Sequence, residues 1–123
     1  MSTAERERTL GERLGRLTGT EAEECVPGYR AIGRNLARSK EFPRTLRRVK
    51  ALADEHRLLA VLLLRQRGEL CACEVQAATG LTHATVSHHM AVLTDAGLVR
   101  ARRQGKWTYY RLDPAVALAL PLP

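Results

Sequence analysis

Apolar residues recur along most of this chain at the three-to-four-residue spacing of a helix face, and change to short β-prone runs only near its end. Leu10, Leu14 and Leu17 keep helical spacing in a charged opening stretch, although Gly11, Gly15 and Gly19 weaken it. Thr18 to Gly28 has the character of a linker: it is acidic at Glu21, Glu23 and Glu24, contains Cys25 and closes with Pro27-Gly28. The first firm helix is expected near Pro43, because proline suits an opening turn, with Leu46, Val49, Leu52 and Ala53 as its apolar stripe. Asp54 and Glu55 can open the next, which runs from Glu55 to about Arg67 and stops at Gly68. It is apolar nearly all round, which suits the middle of a core. A shorter helix should cover Cys71 to Thr79 and end at Gly80. Thr82 is a good cap for a fourth, from His83 to Ala96, ended by Gly97. In that helix Val86, Met90 and Leu93 share one side; Ala84, Ser87, His88, Ala91 and Asp95 fall on the other.

After Gly97 the period shortens. Leu98 to Arg103 and Trp107 to Leu112 are β-prone runs separated by Gln104-Gly105-Lys106, a hairpin with a basic tip. Asp113-Pro114 can start a last helix, cut to about two turns by Pro121 and Pro123. Two helices joined across Thr79-Gly80-Leu81-Thr82 and followed by a basic hairpin give the order of a winged helix-turn-helix. The expected fold class is therefore mainly α with a β-hairpin wing (α+β). Residues 1–40 form a partly helical or flexible leader carrying Cys25, and residues 41–123 form the DNA-binding and dimerisation domain.

Charge changes the picture. Twenty Lys and Arg against thirteen Asp and Glu leave a net +7 on 123 residues, a field that favours a polyanion. The longest apolar run, Leu58 to Leu64, is far shorter than the roughly 20 residues a bilayer needs, so no membrane partner is expected. The charged N-terminus lacks the apolar core of a secretory signal, which points to a reducing cytoplasm. There Cys25, Cys71 and Cys73 suit metal binding or redox chemistry better than disulfides. No Ser/His/Asp set, paired carboxylates or Gly-rich phosphate loop can be assembled, so an enzyme is not expected.

Base edges in a major groove about 12 Å wide must be met by side chains that donate and accept. Thr82, His83, Thr85, Ser87 and His88 are such groups on the start and outer side of the fourth helix. Arg102, Arg103 and Lys106 at the hairpin suit phosphates or a neighbouring minor groove. His89 lies at the edge of the apolar side and is expected to be a satisfied core histidine; His56 is also expected to be structural.

Five runs in the right order carry a resemblance: Ala51 to Leu58, Glu69-Leu70-Cys71-Ala72-Cys73-Glu74-Val75, Thr85 to Met90, Leu93 to Leu98, and Gln104 to Leu112. The segment from Leu52 to Leu112 resembles the ArsR/SmtB family of metal-responsive repressors. The resemblance implies a homodimer on a pseudo-palindromic double-stranded operator, released when an ion binds. It also makes Cys71 and Cys73 the metal box on the first helix of the DNA-binding pair. The positive end of a helix favours the thiolate that a metal needs. Residues two apart on an ideal helix point about 200° apart, so both sulfurs reach one ion only if the first turn loosens. In some members a further cysteine follows three residues after the second; Gln76 stands there, which leaves Cys25 as the third candidate. Three sulfurs suit a soft ion. The resemblance implies arsenite or antimonite, As(III) or Sb(III), as inducer, with Cd(II) or Pb(II) next, and no permanent cofactor. Zinc, cobalt and nickel sensors carry ligands on the last helix, where this chain has no His. The alternatives on the same scaffold are a thiol redox or reactive-sulfur sensor, and a general nucleic-acid binder driven by the basic stretch from Arg30 to Lys50.

Overall fold

The computed structural model describes residues 2–19 and 22–119, which form two compact units, Met1–Pro43 and Arg44–Pro123. In the first, α1 (Thr3–Thr18) packs against α2 (Ala22–Arg38). Ser2 caps α1 reciprocally: its hydroxyl accepts from the Glu5 N–H, and the Glu5 carboxylate accepts from the Ser2 N–H. Gly11 is a buried position of α1, so it belongs to a packed face and does not break the helix. The linker expected between Thr18 and Gly28 is largely helical, since α2 starts at Ala22 and runs through Pro27 and Gly28. Pro27 removes one helical hydrogen bond, yet helix-on-helix packing outweighs that local preference. Arg30 of α2 pairs with Glu7 of α1.

Into the second unit leads α3 (Glu41–Leu52), which starts two residues before Pro43. The proline thus falls in the opening turn, where its missing N–H would be unpaired anyway. Asp54 caps α4 (Glu55–Arg67), its Oδ1 accepting from the His56 and Arg57 N–H groups at 2.9 and 3.0 Å. The chain then makes a strand that the residue pattern had not suggested, β1 (Glu69–Cys71). The helix-turn-helix follows as α5 (Ala72–Thr79) and α6 (His83–Asp95), with Gly80 at φ 73 in the turn between them. α5 starts one residue later than expected, with Cys71 as its N-terminal cap, and α6 stops one residue earlier, with Ala96 as its C-terminal cap.

The wing is β2 (Val99–Gln104) and β3 (Trp107–Leu112), antiparallel, with Gln104 opposite Trp107. Its loop is therefore two residues, Gly105-Lys106, and only Gly105 has a positive φ. That is the Gly-first turn whose twist matches the strands. On its other edge β3 pairs antiparallel with β1, so the sheet has three strands in the order β1-β3-β2. A short α7 (Pro114–Ala119) follows, its start held by Asp113 Oδ1 accepting from the Ala115 N–H. The expected stops Pro121 and Pro123 lie outside the described residues.

The core of the second unit joins Val61 and Leu64 of α4, Val86, Met90 and Leu93 of α6, and Leu98, all essentially without solvent contact. Met90 and Leu93 anchor α6 by the side predicted to be apolar, which leaves its opposite side to solvent. No helix among the described residues is long and apolar enough to cross a membrane.

Candidate nucleic-acid interface and thiol site

Thr82, the cap of α6, accepts from the Thr85 N–H at 3.3 Å and donates to Thr85 Oγ1 at 2.9 Å. Thr82, His83, Thr85 and His88 are exposed and Ser87 is half-buried. The cap and first two turns of α6 therefore present Thr82, His83, Thr85 and His88 to solvent with Ser87 partly exposed beside them, and the helix is fixed beneath them by Val86, Met90 and Leu93.

At the wing Arg103 and Lys106 are exposed, whereas Arg102 is engaged within the sheet. Its Nε and Nη2 donate to the two Glu69 carboxylate oxygens at 3.0 and 2.6 Å, and its Nη1 donates to Gln104 Oε1 at 2.9 Å. The guanidinium also lies over the Tyr109 ring, 4.6 Å from its centre. The Arg102 hydrogen bond holds the Glu69 carboxyl below its ordinary value, and Glu69 in turn raises that of Arg102. Three of the five Arg102 N–H donors are thus used within the sheet.

Cys71 and Cys73 flank the start of α5. Cys71 is half-buried, Cys73 exposed. Cys71 has extended backbone angles, φ −81 and ψ 164, and ends β1 opposite Tyr109. The 200° separation expected between the two side chains on an ideal helix does not apply, because only Cys73 is helical. The Glu74 carboxylate accepts from the Cys71 N–H at 3.0 Å and also from its thiol, and these bonds hold the Glu74 carboxyl below its ordinary value. Cys25 belongs to the first unit, is 5 % exposed, and has its sulfur 3.8 Å from Thr18 Oγ1.

The model of the bacterial regulatory protein arsR family matches residues 54–101, from the cap of α4 to β2. A solved winged helix-turn-helix DNA-binding domain from Mycobacterium bovis, homodimeric in solution and described as a possible ArsR-family regulator, is 36 % identical to this chain. It superposes with a TM-score of 0.62 over 67 % of this chain and 76 % of that one. This chain belongs to the ArsR family. Among curated relatives of this ArsR-family protein, the arsenical resistance operon repressor of Escherichia coli K12 is 48 % identical over 54 % of this chain and 57 % of its own length. The cadmium resistance transcriptional regulatory protein CadC homolog of Staphylococcus aureus is 38 % identical over 61 % of this chain and 63 % of its own. The ArsR-family chain spans little more than half the length of the curated relatives it matches first. These relatives are transcriptional regulators, not enzymes.

The ArsR-family domain also brings together three potential ligands from distant parts of the chain. Asp54, His56 and His89 each offer a metal-binding atom within 4.8 Å of the other two, and all three are half-buried. The His89 Nδ1 lies 3.3 Å from Arg57 Nη1, and the Arg57 Nε donates to the Ala51 carbonyl at 2.7 Å. Burial pushes the His89 imidazole below its ordinary value, against the pull of the Asp54 carboxylate. His89 is thus partnered at the edge of the core, and its ring stands 5.7 Å from that of His56 and 5.9 Å from that of His88.

Proposed function

We propose that this protein is a cytoplasmic, homodimeric repressor that binds operator DNA through α6 and the wing and leaves it when a thiophilic ion joins Cys71 and Cys73. One observation carries the reading. Cys71 is at once the last residue of β1, opposite Tyr109 of the wing, and the cap of α5, which packs on the recognition helix. An ion that draws Cys71 towards Cys73 acts on both DNA-contacting elements together. It pulls on β1, which drags the wing through the Glu69–Arg102 clamp two residues upstream, and it moves the first turn of α5. Small displacements suffice, because the two reading heads of a dimer must match half-sites about 34 Å apart.

The DNA contacts would come from Thr82, His83, Thr85, Ser87 and His88 on α6, and from Arg103 and Lys106 on the wing, where Arg102 stays clamped by Glu69. Dimerisation is supported by exposed apolar stripes on two helices: Tyr29, Ile32 and Leu36 of α2, and Phe42, Leu46 and Val49 of α3. Each recurs at helical spacing and is too apolar to face water by choice.

The inducer would be As(III) or Sb(III), with Cd(II) or Pb(II) next, as thiolate ligands select soft ions. The names of the arsenical and cadmium resistance relatives point the same way. Cys25 would supply a third sulfur, to the pair of its own protomer or of the partner. The test is operator release by arsenite, antimonite, cadmium and lead, repeated with each cysteine replaced by alanine. Cys71→Ala and Cys73→Ala should still bind the operator and should no longer be released. Normal ion-driven release from either variant refutes the assignment; release by peroxide without ion binding would instead mark a redox sensor.

A further inference from the structure

We propose that Asp54, His56 and His89 form a second site, for one borderline divalent cation of the zinc, cobalt(II) or nickel(II) class, distinct in chemistry from the thiol pair. The donor set is one carboxylate and two imidazoles, which suits these ions and not arsenite or antimonite. The three ligand atoms lie within 4.8 Å of one another. A tetrahedral ion with bonds of about 2.0–2.2 Å needs its ligands about 3.3–3.6 Å apart, so closing the site takes movements of roughly an ångström, within reach of side-chain rotation. The fourth position falls to water.

The elements explain why the site forms and what loading it does. Asp54 and His56 sit at the cap and second residue of α4, and His89 is on the recognition helix α6. Asp54 Oδ1 is engaged with the His56 and Arg57 N–H groups, which fixes the carboxylate while its second oxygen carries no hydrogen bond among the described residues. An ion here would bolt the recognition helix to the start of α4.

Arg57 opposes the ion by its charge, and that opposition is also the coupling. The Arg57 Nη1 donates to His89 Nδ1. A metal-bound neutral imidazole keeps its proton on the other nitrogen. If the ion takes Nδ1, the Arg57 contact is displaced directly; if it takes Nε2, Nδ1 carries the proton and can no longer accept from Arg57. Either way loading breaks the Arg57–His89 hydrogen bond, while Arg57 Nε can remain on the Ala51 carbonyl.

The experiment uses the full chain with Cys25, Cys71 and Cys73 all replaced by serine, so that its outcome is independent of the thiol-site reading. Cobalt(II) and zinc are titrated in turn. The expected result is saturable binding of one ion per protomer, with visible cobalt absorption of nitrogen and oxygen ligation and no sulfur charge-transfer band. His56→Ala and His89→Gln should each weaken binding by at least about tenfold. In the unsubstituted protein, ring-nitrogen NMR should show His56 and His89 moving on zinc addition while His83 stays; this readout does not depend on any variant folding. Absence of saturable binding, undiminished binding in both histidine variants, or nitrogen shifts confined to His83 and His88 overturns the proposal.

Discussion

Replacing Glu69 by glutamine removes the carboxylate that holds Arg102 over Tyr109 through two charge-assisted hydrogen bonds. The Arg102 and Glu69 side chains are 49 % and 33 % exposed, so the pair is well solvated and folding stability should hardly change. The effect should fall on DNA. A guanidinium freed at the wing can neutralise one further phosphate in each protomer, and each such contact adds about 0.9 to the slope of log affinity against log salt. For a dimer the slope should steepen by about 1.8. Between 50 and 200 mM salt that is about a tenfold larger loss of affinity than in the parent protein. Fluorescence anisotropy with labelled operator, repeated across that range, reads the slope directly. Arg102→Ala is the companion measurement: if Arg102 is held by Glu69 in the bound state, its removal leaves the slope unchanged. A Glu69→Gln slope equal to the parent's, or a fall of nearly two units in Arg102→Ala, would show that Arg102 already touches phosphate, and the clamp would lose its place in the release mechanism.

Other substitutions probe the core, the sheet edge and the thiol. Leu93, wholly buried on α6, should cost about 2–5 kcal/mol when cut to alanine, read by urea unfolding, with operator affinity lost mainly through the unfolded fraction. Desolvation alone would raise the Asp113 carboxyl, but the Arg100 hydrogen bond at 3.0 Å, the Arg100 charge and the Ala115 and Val116 N–H groups together outweigh it and hold the carboxyl below the ordinary value near 3.8. With a depressed folded-state value, its contribution is present above that ordinary value and is lost as pH falls through the folded one. Urea midpoints should therefore decline below about pH 4, and Asp113→Asn should decline less over the same range. Glu74→Gln removes a negative charge from beside the Cys71 sulfur while its amide oxygen can still accept from the Cys71 N–H. Ion affinity measured by thiolate absorption should rise; a fall would make the Glu74 carboxylate itself a ligand.

Long periodic stretches were legible because a single face decides them. Val86, Met90 and Leu93 announced both the existence of α6 and which side would be left for DNA, and Asp54 and Gly68 marked the ends of α4. The hairpin was legible from Gly105 and its β-prone flanks. Where the outcome rested on partners distant in sequence, the pattern was silent. Glu69-Leu70-Cys71 is too short to show a strand period, and it becomes one only because β3 offers a free edge. The helix through Pro27 depends on packing against α1. Asp54 and His56 lie more than thirty residues from His89, so only the folded chain reveals that their ligand atoms meet.

The strand matters most for how the thiol pair can act. Had Cys71 been the first helical residue, binding would have required the opening turn to unwind. As the cap, it occupies a position where serine, threonine, aspartate or asparagine would give the helix its strongest side-chain acceptor. Sulfur is a weak acceptor, so the start of α5 relies on the reverse bond from the Cys71 N–H to Glu74. A weakly capped helix end is a low-stability element, and such elements are the ones that ligands remodel. The same residue is tied by its backbone to the sheet, where loss of register is felt at once by Tyr109 and, through Glu69, by Arg102. A cysteine in this position therefore gives up some helix stability for a handle on two DNA-contacting elements, which a cysteine in the middle of α5 could not provide.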